Sequence, residues 1–140
     1  MSIPVLVLLG FAGWTILLLA VTIGTYRWSR ILSGRKEIQD FAEYKIEGKG
    51  WYKRAMRAHA NCVENLPVYG AVVLAIVVAD VSAPILDTLA LVFFGARIVH
   101  SVIHVGFDHG NVIGGLRFSF FFIQLVCMGW MGTYVAVQVF

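Results

Sequence analysis

No charged residue occurs between Ile3 and Tyr26. That run is longer than the roughly 20 apolar residues a helix needs to cross the ~30 Å hydrocarbon core of a bilayer. No basic region precedes it, and it exceeds a signal-peptide core of about 7–15 residues, so it reads as a retained transmembrane helix. Three further segments are comparably apolar, at about Trp51 to Asp80, Pro84 to Val105 and Leu116 to Phe140. The chain is 59% hydrophobic, against about 45–50% for soluble domains. The expected fold is all-α: an integral membrane four-helix bundle forming one domain over residues 1–140.

The net charge of +3 does not mark a nucleic-acid binder, because nine of the eleven Lys and Arg residues lie between Arg27 and Arg57. A basic connector of that kind is retained on the cytoplasmic side. The 29–50 loop is therefore expected to be cytoplasmic, as is the glycine-rich loop Gly106 to Gly115, with both termini on the far side. The turn Val81 to Pro84 has acidic neighbours, Asp80 and Asp87, and no Lys or Arg. Cys62 and Cys127 both fall in apolar runs and read as buried thiols, with no disulfide framework implied.

The second span departs from simple membrane crossing. At about 1.5 Å per residue it is about 45 Å long, so its first turns protrude on the basic side. Arg57, Asn61 and Glu64 recur at i, i+4, i+7 and share one face, which Arg54 extends back by a turn. Pro67 is expected to loosen the helix just beyond Glu64. Ionisable groups at such depth normally face a bundle interior or a wet cavity. The third span carries Arg97, His100 and His104 at i, i+3, i+7, and the fourth opens with Arg117 and carries Gln124 further in.

These polar ends all lie toward the basic side, so Arg57, Asn61, Glu64, Arg97, His100, His104 and Arg117 are expected around one cavity. Its cations outnumber its carboxylate and suit an anionic ligand, since guanidinium matches carboxylate in a two-bond fork. Glu64 is placed to accept from a ligand ammonium. Three other readings of the same residues stay open. One is an internal ion pair of Glu64 with Arg97 or Arg57. Another is a metal held by His59, Cys62, His100, His104 and His109. The last is a proton relay through the intramembrane His and Glu residues.

The segment RAHANCVENLP resembles the motif of the membrane-associated proteins in eicosanoid and glutathione metabolism, the MAPEG family. Arg57, Ala58, Asn61, Glu64 and Pro67 match its Arg-Ala-x-x-Asn-x-x-Glu…Pro pattern, and helix count, loop sizes and the third-span stripe agree along the whole chain. The resemblance implies a homotrimer that binds glutathione between subunits near the cytoplasmic face. It further implies that Asn61 and Glu64 hold the tripeptide backbone, with Arg57 and His59 at or beside the pocket. His100 and His104 would contact the tripeptide, and Arg97 belongs to the same stripe. Arg30, or else Arg27, would bind a glutathione carboxylate. Arg117 would activate the thiol as thiolate, the form that attacks.

The chain departs from the pattern of the prostaglandin synthase at Ala60, where that enzyme has Arg, at Phe118, where it has Ser, and at Phe121 and His104, where it has Tyr. Two functions follow. One is a glutathione transferase or peroxidase acting on lipophilic electrophiles that arrive from the bilayer. The other is a non-catalytic lipid-binding or scaffold subunit of a larger membrane assembly.

Overall fold

A computed structural model of the protein describes residues 2–35, 50–108 and 110–140. Most of the 29–50 connector, from 36 to 49, and the candidate metal ligand His109 lie outside the described residues. Among the described residues the regular structure is entirely helical: α1 (Ile3–Leu18), a π-helical segment (Leu19–Gly24), α2 (Thr25–Leu32), α3 (Trp51–Val78), α4 (Pro84–Gly106) and α5 (Asn111–Val139). The first three run continuously from Ile3 to Leu32 as one span. With α3, α4 and α5 they make four helices long and apolar enough to cross a membrane.

Each expected span is present, with shifted ends. The first helix continues past Tyr26 to Leu32, so the aromatic and basic anchor Tyr26–Arg30 is helical. The last helix starts at Asn111, not at Leu116. Gly114 and Gly115, read from sequence as loop, are helical, and Gly114 N–H bonds to the Gly110 carbonyl at 2.7 Å. Glycine costs about 1 kcal/mol in a helix interior, and the continuous ladder across this short connection outweighs that preference. The helix around Pro67 is unbroken. Between α3 and α4 the chain turns at Asp80, which sits at φ 53, a left-handed conformation that Asp tolerates better than most residues.

Lipid tails are as apolar as leucine, so helix association in a membrane depends on close packing and on polar contacts. Small residues line the α3 and α4 contacts: Ala55, Ala58 and Ala90 are fully buried. Phe11, Tyr69 and Phe93 form the central aromatic cluster. The Tyr69 and Phe93 rings stack with centroids 4.3 Å apart, and Phe11 meets Phe93 edge-on at 5.5 Å. Tyr69 Oη donates to the Pro4 carbonyl at 3.2 Å, tying α3 to the start of α1. At Gly10 an added Cβ would lie 3.1 Å from Phe94, so the absence of a side chain there allows α4 to approach. The most extensive packing is between the antiparallel α4 and α5.

The π-helical segment re-aims the end of the first span. An inserted residue of this type rotates the following turn relative to a regular helix. The Thr22 and Thr25 hydroxyls donate to carbonyls one turn back, at Leu18 and Val21. Beyond it Tyr26 stacks on Tyr52 of α3, with centroids 3.8 Å apart. Arg27 Nε donates to Tyr52 Oη at 2.9 Å.

Candidate functional site

The polar residues gather at two depths. The outer group surrounds a cleft of about 260 Å³ lined by Gly50, Lys53, Arg54, Arg57, His104, Asp108 and Arg117. The first turns of α3 carry its cations inward, as the spacing of Lys53, Arg54 and Arg57 requires. Arg54 forms a clasp across the cleft: Nε donates to the Val105 carbonyl at 3.0 Å, and Nη1 pairs with the Asp108 carboxylate. Two bonds from one guanidinium therefore fix the C-terminal end of α4 against α3. Arg117 Nη1 lies 3.4 Å from both ring nitrogens of His104, so α5 contributes its cation from the opposite wall. Five basic side chains face one carboxylate, which suits an anion.

The inner group lies deeper in the bundle. Arg97 is fully buried. Its Nη1 donates to Asn61 Oδ1 at 2.6 Å and reaches Cys62 Sγ at 3.8 Å. Asn65 Nδ2 donates to the Asn61 carbonyl at 2.7 Å and to Asn61 Oδ1 at 3.3 Å, which holds that amide oxygen toward Arg97. The His100 and His104 rings meet edge to face at 5.8 Å, and His100 faces Phe121 at 6.3 Å. Since His104 faces Arg117 and His100 faces Phe121, the antiparallel register puts Arg97 level with Gln124. Arg97 Nε and Nη2, His100 Nδ1 and Gln124 Oε1 are buried and find no hydrogen-bond partner among the described residues. Buried polar atoms without partners are rare in folded proteins, and here they cluster on one side of α4 and α5.

The single expected cavity is thus divided within the chain. Arg57, His104 and Arg117 line the outer cleft, while Asn61 and Arg97 are paired inside, with His100 between. Glu64 does not join either group. It is exposed on α3, and among the described residues it forms no ion pair, so the expected alternative of Glu64 with Arg97 or Arg57 is absent from this chain. His59 is half-buried and outside the cleft lining, and Arg30 sits over the Tyr26 ring at 5.0 Å on α2. Among the described residues no group of three or more His, Cys, Asp or Glu stands close enough to share a metal ion. Lys53 and Asp108 escaped the sequence reading. Lys53 is one turn before Arg57, which was a usable signal, whereas Asp108 in a glycine-rich connection gave none.

Comparison with known proteins agrees with the geometry. The MAPEG family model matches residues 4–137, nearly the whole chain. No curated protein and no solved structure matches it.

Proposed function

Because the chain belongs to the MAPEG family, a family of membrane glutathione-transferase and eicosanoid-metabolism proteins, we propose that it is a membrane-bound glutathione transferase or peroxidase for lipophilic electrophiles. The observation that carries this reading is the cleft lined by four cations from two helices, Lys53, Arg54, Arg57 and Arg117, and by a single carboxylate, Asp108, which pairs with Arg54. Glutathione brings two carboxylates, an ammonium and a thiol. Arg57 and Lys53 are placed to bind carboxylate. Arg117, held against His104, stabilises negative charge on the tripeptide sulfur, the nucleophile of a conjugation. The Arg54–Asp108 clasp keeps the cleft walls at a fixed separation, which favours positioning over reorganisation.

Glu64 supports a multi-subunit site. An exposed carboxylate on a spanning helix is costly in lipid, and Arg57 and Pro67 are exposed on the same helix. In a homotrimer this stripe packs against a neighbouring subunit, and Glu64 accepts from the ammonium of glutathione bound at that boundary. Asn61, Arg97 and His100 hold the inner wall, with His59 and Arg30 at the rim. Native mass measurement in mild detergent is expected to give a trimer, and a monomer alone would refute the shared site. The basic connector, by its charge, lies on the cytoplasmic side, so a cysteine introduced at Gly48 is expected to be labelled from that side only.

The decisive experiment is calorimetry of the purified protein with glutathione, followed by a conjugation assay. Binding heat above the detergent control with turnover supports the enzyme. A second reading, a lipid-binding or scaffold subunit, is favoured by Phe118 and Phe122, which stack at 6.2 Å on the exposed face of α5 beside Arg117. Glutathione binding without turnover would select it.

A further inference from the structure

The side-chain amides of Asn61 and Asn65 stand one turn apart on α3, and the orientation of each follows from what it touches. The Asn61 backbone carbonyl only accepts, so the Asn65 atom 2.7 Å from it is Nδ2, the donor end. The same Nδ2 reaches the Asn61 side chain at 3.3 Å. Arg97 Nη1, which also only donates, meets that Asn61 atom at 2.6 Å. Two donors therefore converge on one atom, which has to be the amide oxygen. Turning the Asn61 amide over would set its N–H groups against those of Arg97 and Asn65.

The consequence lies on the other side of Asn61. Its Nδ2 has no hydrogen-bond partner among the described residues, and it does not belong to the buried atoms that lack one. Asn61 is partly exposed, so these N–H groups open at the surface of α3. Arg57 lies four residues before Asn61 and Glu64 three residues after it, both exposed and on the same helix face. The stripe thus presents a cation, a neutral donor and a carboxylate in order. Asn65 itself is buried, with 8% of its surface exposed, and its Nδ2 is committed to Asn61. It bears on the stripe through Asn61.

We propose that Asn65 is a positioning residue, which locks the Asn61 amide so that Asn61 offers its N–H donors to an acceptor group of the bound tripeptide. This rests on glutathione as the ligand. Arg97 alone bonds the Asn61 oxygen from one side and leaves the amide free to swing about that contact. The second bond comes from a side chain that is itself seated on the Asn61 carbonyl, and it removes that freedom. A donor held in place before the ligand arrives need not be ordered on binding. Asn suits the task, because its short amide on a helix bonds the carbonyl one turn back. Position 65 is not part of the Arg-Ala-x-x-Asn-x-x-Glu…Pro pattern, so the motif alone does not point to it.

The test is a double-mutant cycle on glutathione affinity, read by calorimetry of the intact protein in mild detergent. Asn65→Leu is expected to weaken binding about five-fold, for the loss of one ordering hydrogen bond. Asn65→Ser, which can still bond the Asn61 carbonyl but not the side chain as well, is expected to match it. Asn61→Asp keeps an oxygen for Arg97 and replaces the N–H donors with a second acceptor, so the fold is retained and binding is expected to fall about ten-fold or more. Adding Asn65→Leu to Asn61→Asp is expected to weaken binding no further, because no donor is left to position. An equal loss from Asn65→Leu in both backgrounds would overturn the proposal, since Asn65 would then act on the ligand or the fold directly. Wild-type affinity in Asn61→Asp would overturn the donor role. Wild-type affinity in both Asn65 variants would overturn the positioning and leave the glutathione reading standing, whereas no binding by the wild type would overturn both.

Discussion

The two ends of the bundle both hold a cavity, and the larger one is not the better candidate. At the far end about 340 Å³ lies between the start of α1 and the α3–α4 turn, lined by residues that include Asp80, Asp87, Ser2 and Ser82, with no Lys or Arg. At the basic end about 260 Å³ is walled by Lys53, Arg54, Arg57, His104 and Arg117. The far end is tied by the Tyr69–Pro4 bond to the central Phe11–Tyr69–Phe93 cluster. The basic end is held by polar contacts, several of them to charged groups and some incomplete. Volume therefore ranks the ends one way and chemistry the other, and the proposed use of glutathione, an anionic tripeptide common among members of the family, rests on the chemistry.

The largest expected difference between the ends is in catalysis. Arg117→Leu is expected to lower glutathione conjugation about 10²- to 10³-fold, as for loss of one donor that stabilises a reacting anion. Asp80→Asn at the far end is expected to leave the rate unchanged. Steady-state rates with a lipophilic electrophile check both, and an equal loss in the two variants would erase the distinction between the ends.

Stability gives the next contrast. Asn61→Leu removes the amide oxygen that receives Arg97 Nη1 at 2.6 Å and leaves a buried cation without that acceptor. The expected cost is about 3 kcal/mol, read by unfolding in mixed detergent. Asp87→Asn is expected to stay within about 0.5 kcal/mol. A stable Asn61→Leu protein would mean that Arg97 is satisfied from elsewhere.

Glu64→Gln sharpens the comparison on binding. Within the chain Glu64 has no ion-pair partner among the described residues, so folding is expected to be nearly unchanged. Glutathione affinity is expected to fall about ten- to a hundred-fold, for loss of a charged hydrogen bond of roughly 1.5–3 kcal/mol. A folded Glu64→Gln trimer with wild-type affinity in calorimetry would remove Glu64 from the site.

The smallest effect is expected at the rim. Asp108 is 93% exposed, and surface ion pairs contribute about 0–1 kcal/mol. Asp108→Asn is expected to change thermal stability by less than that and to weaken further only the Arg54 hold on the end of α4. A loss of several kcal/mol would show that the clasp is structural to the whole bundle.

By itself the sequence determined the four spans, the basic end and the family. Long apolar runs leave a chain in lipid little choice but helix, and RAHANCVENLP is readable without coordinates. It also placed Arg57, Asn61 and Glu64 on one helix face, because a 3.6-residue period relates neighbours on the same helix. What periodicity does not give is the register between helices. Only tertiary packing decided that Arg97 turns inward to Asn61 and Cys62, that Arg117 meets His104, and that Glu64 faces out of the subunit. The start of α5 at Asn111 was equally hidden, because local preference reads glycines as loop, while a hydrogen-bond ladder joined to the α4 packing carries the helix through them.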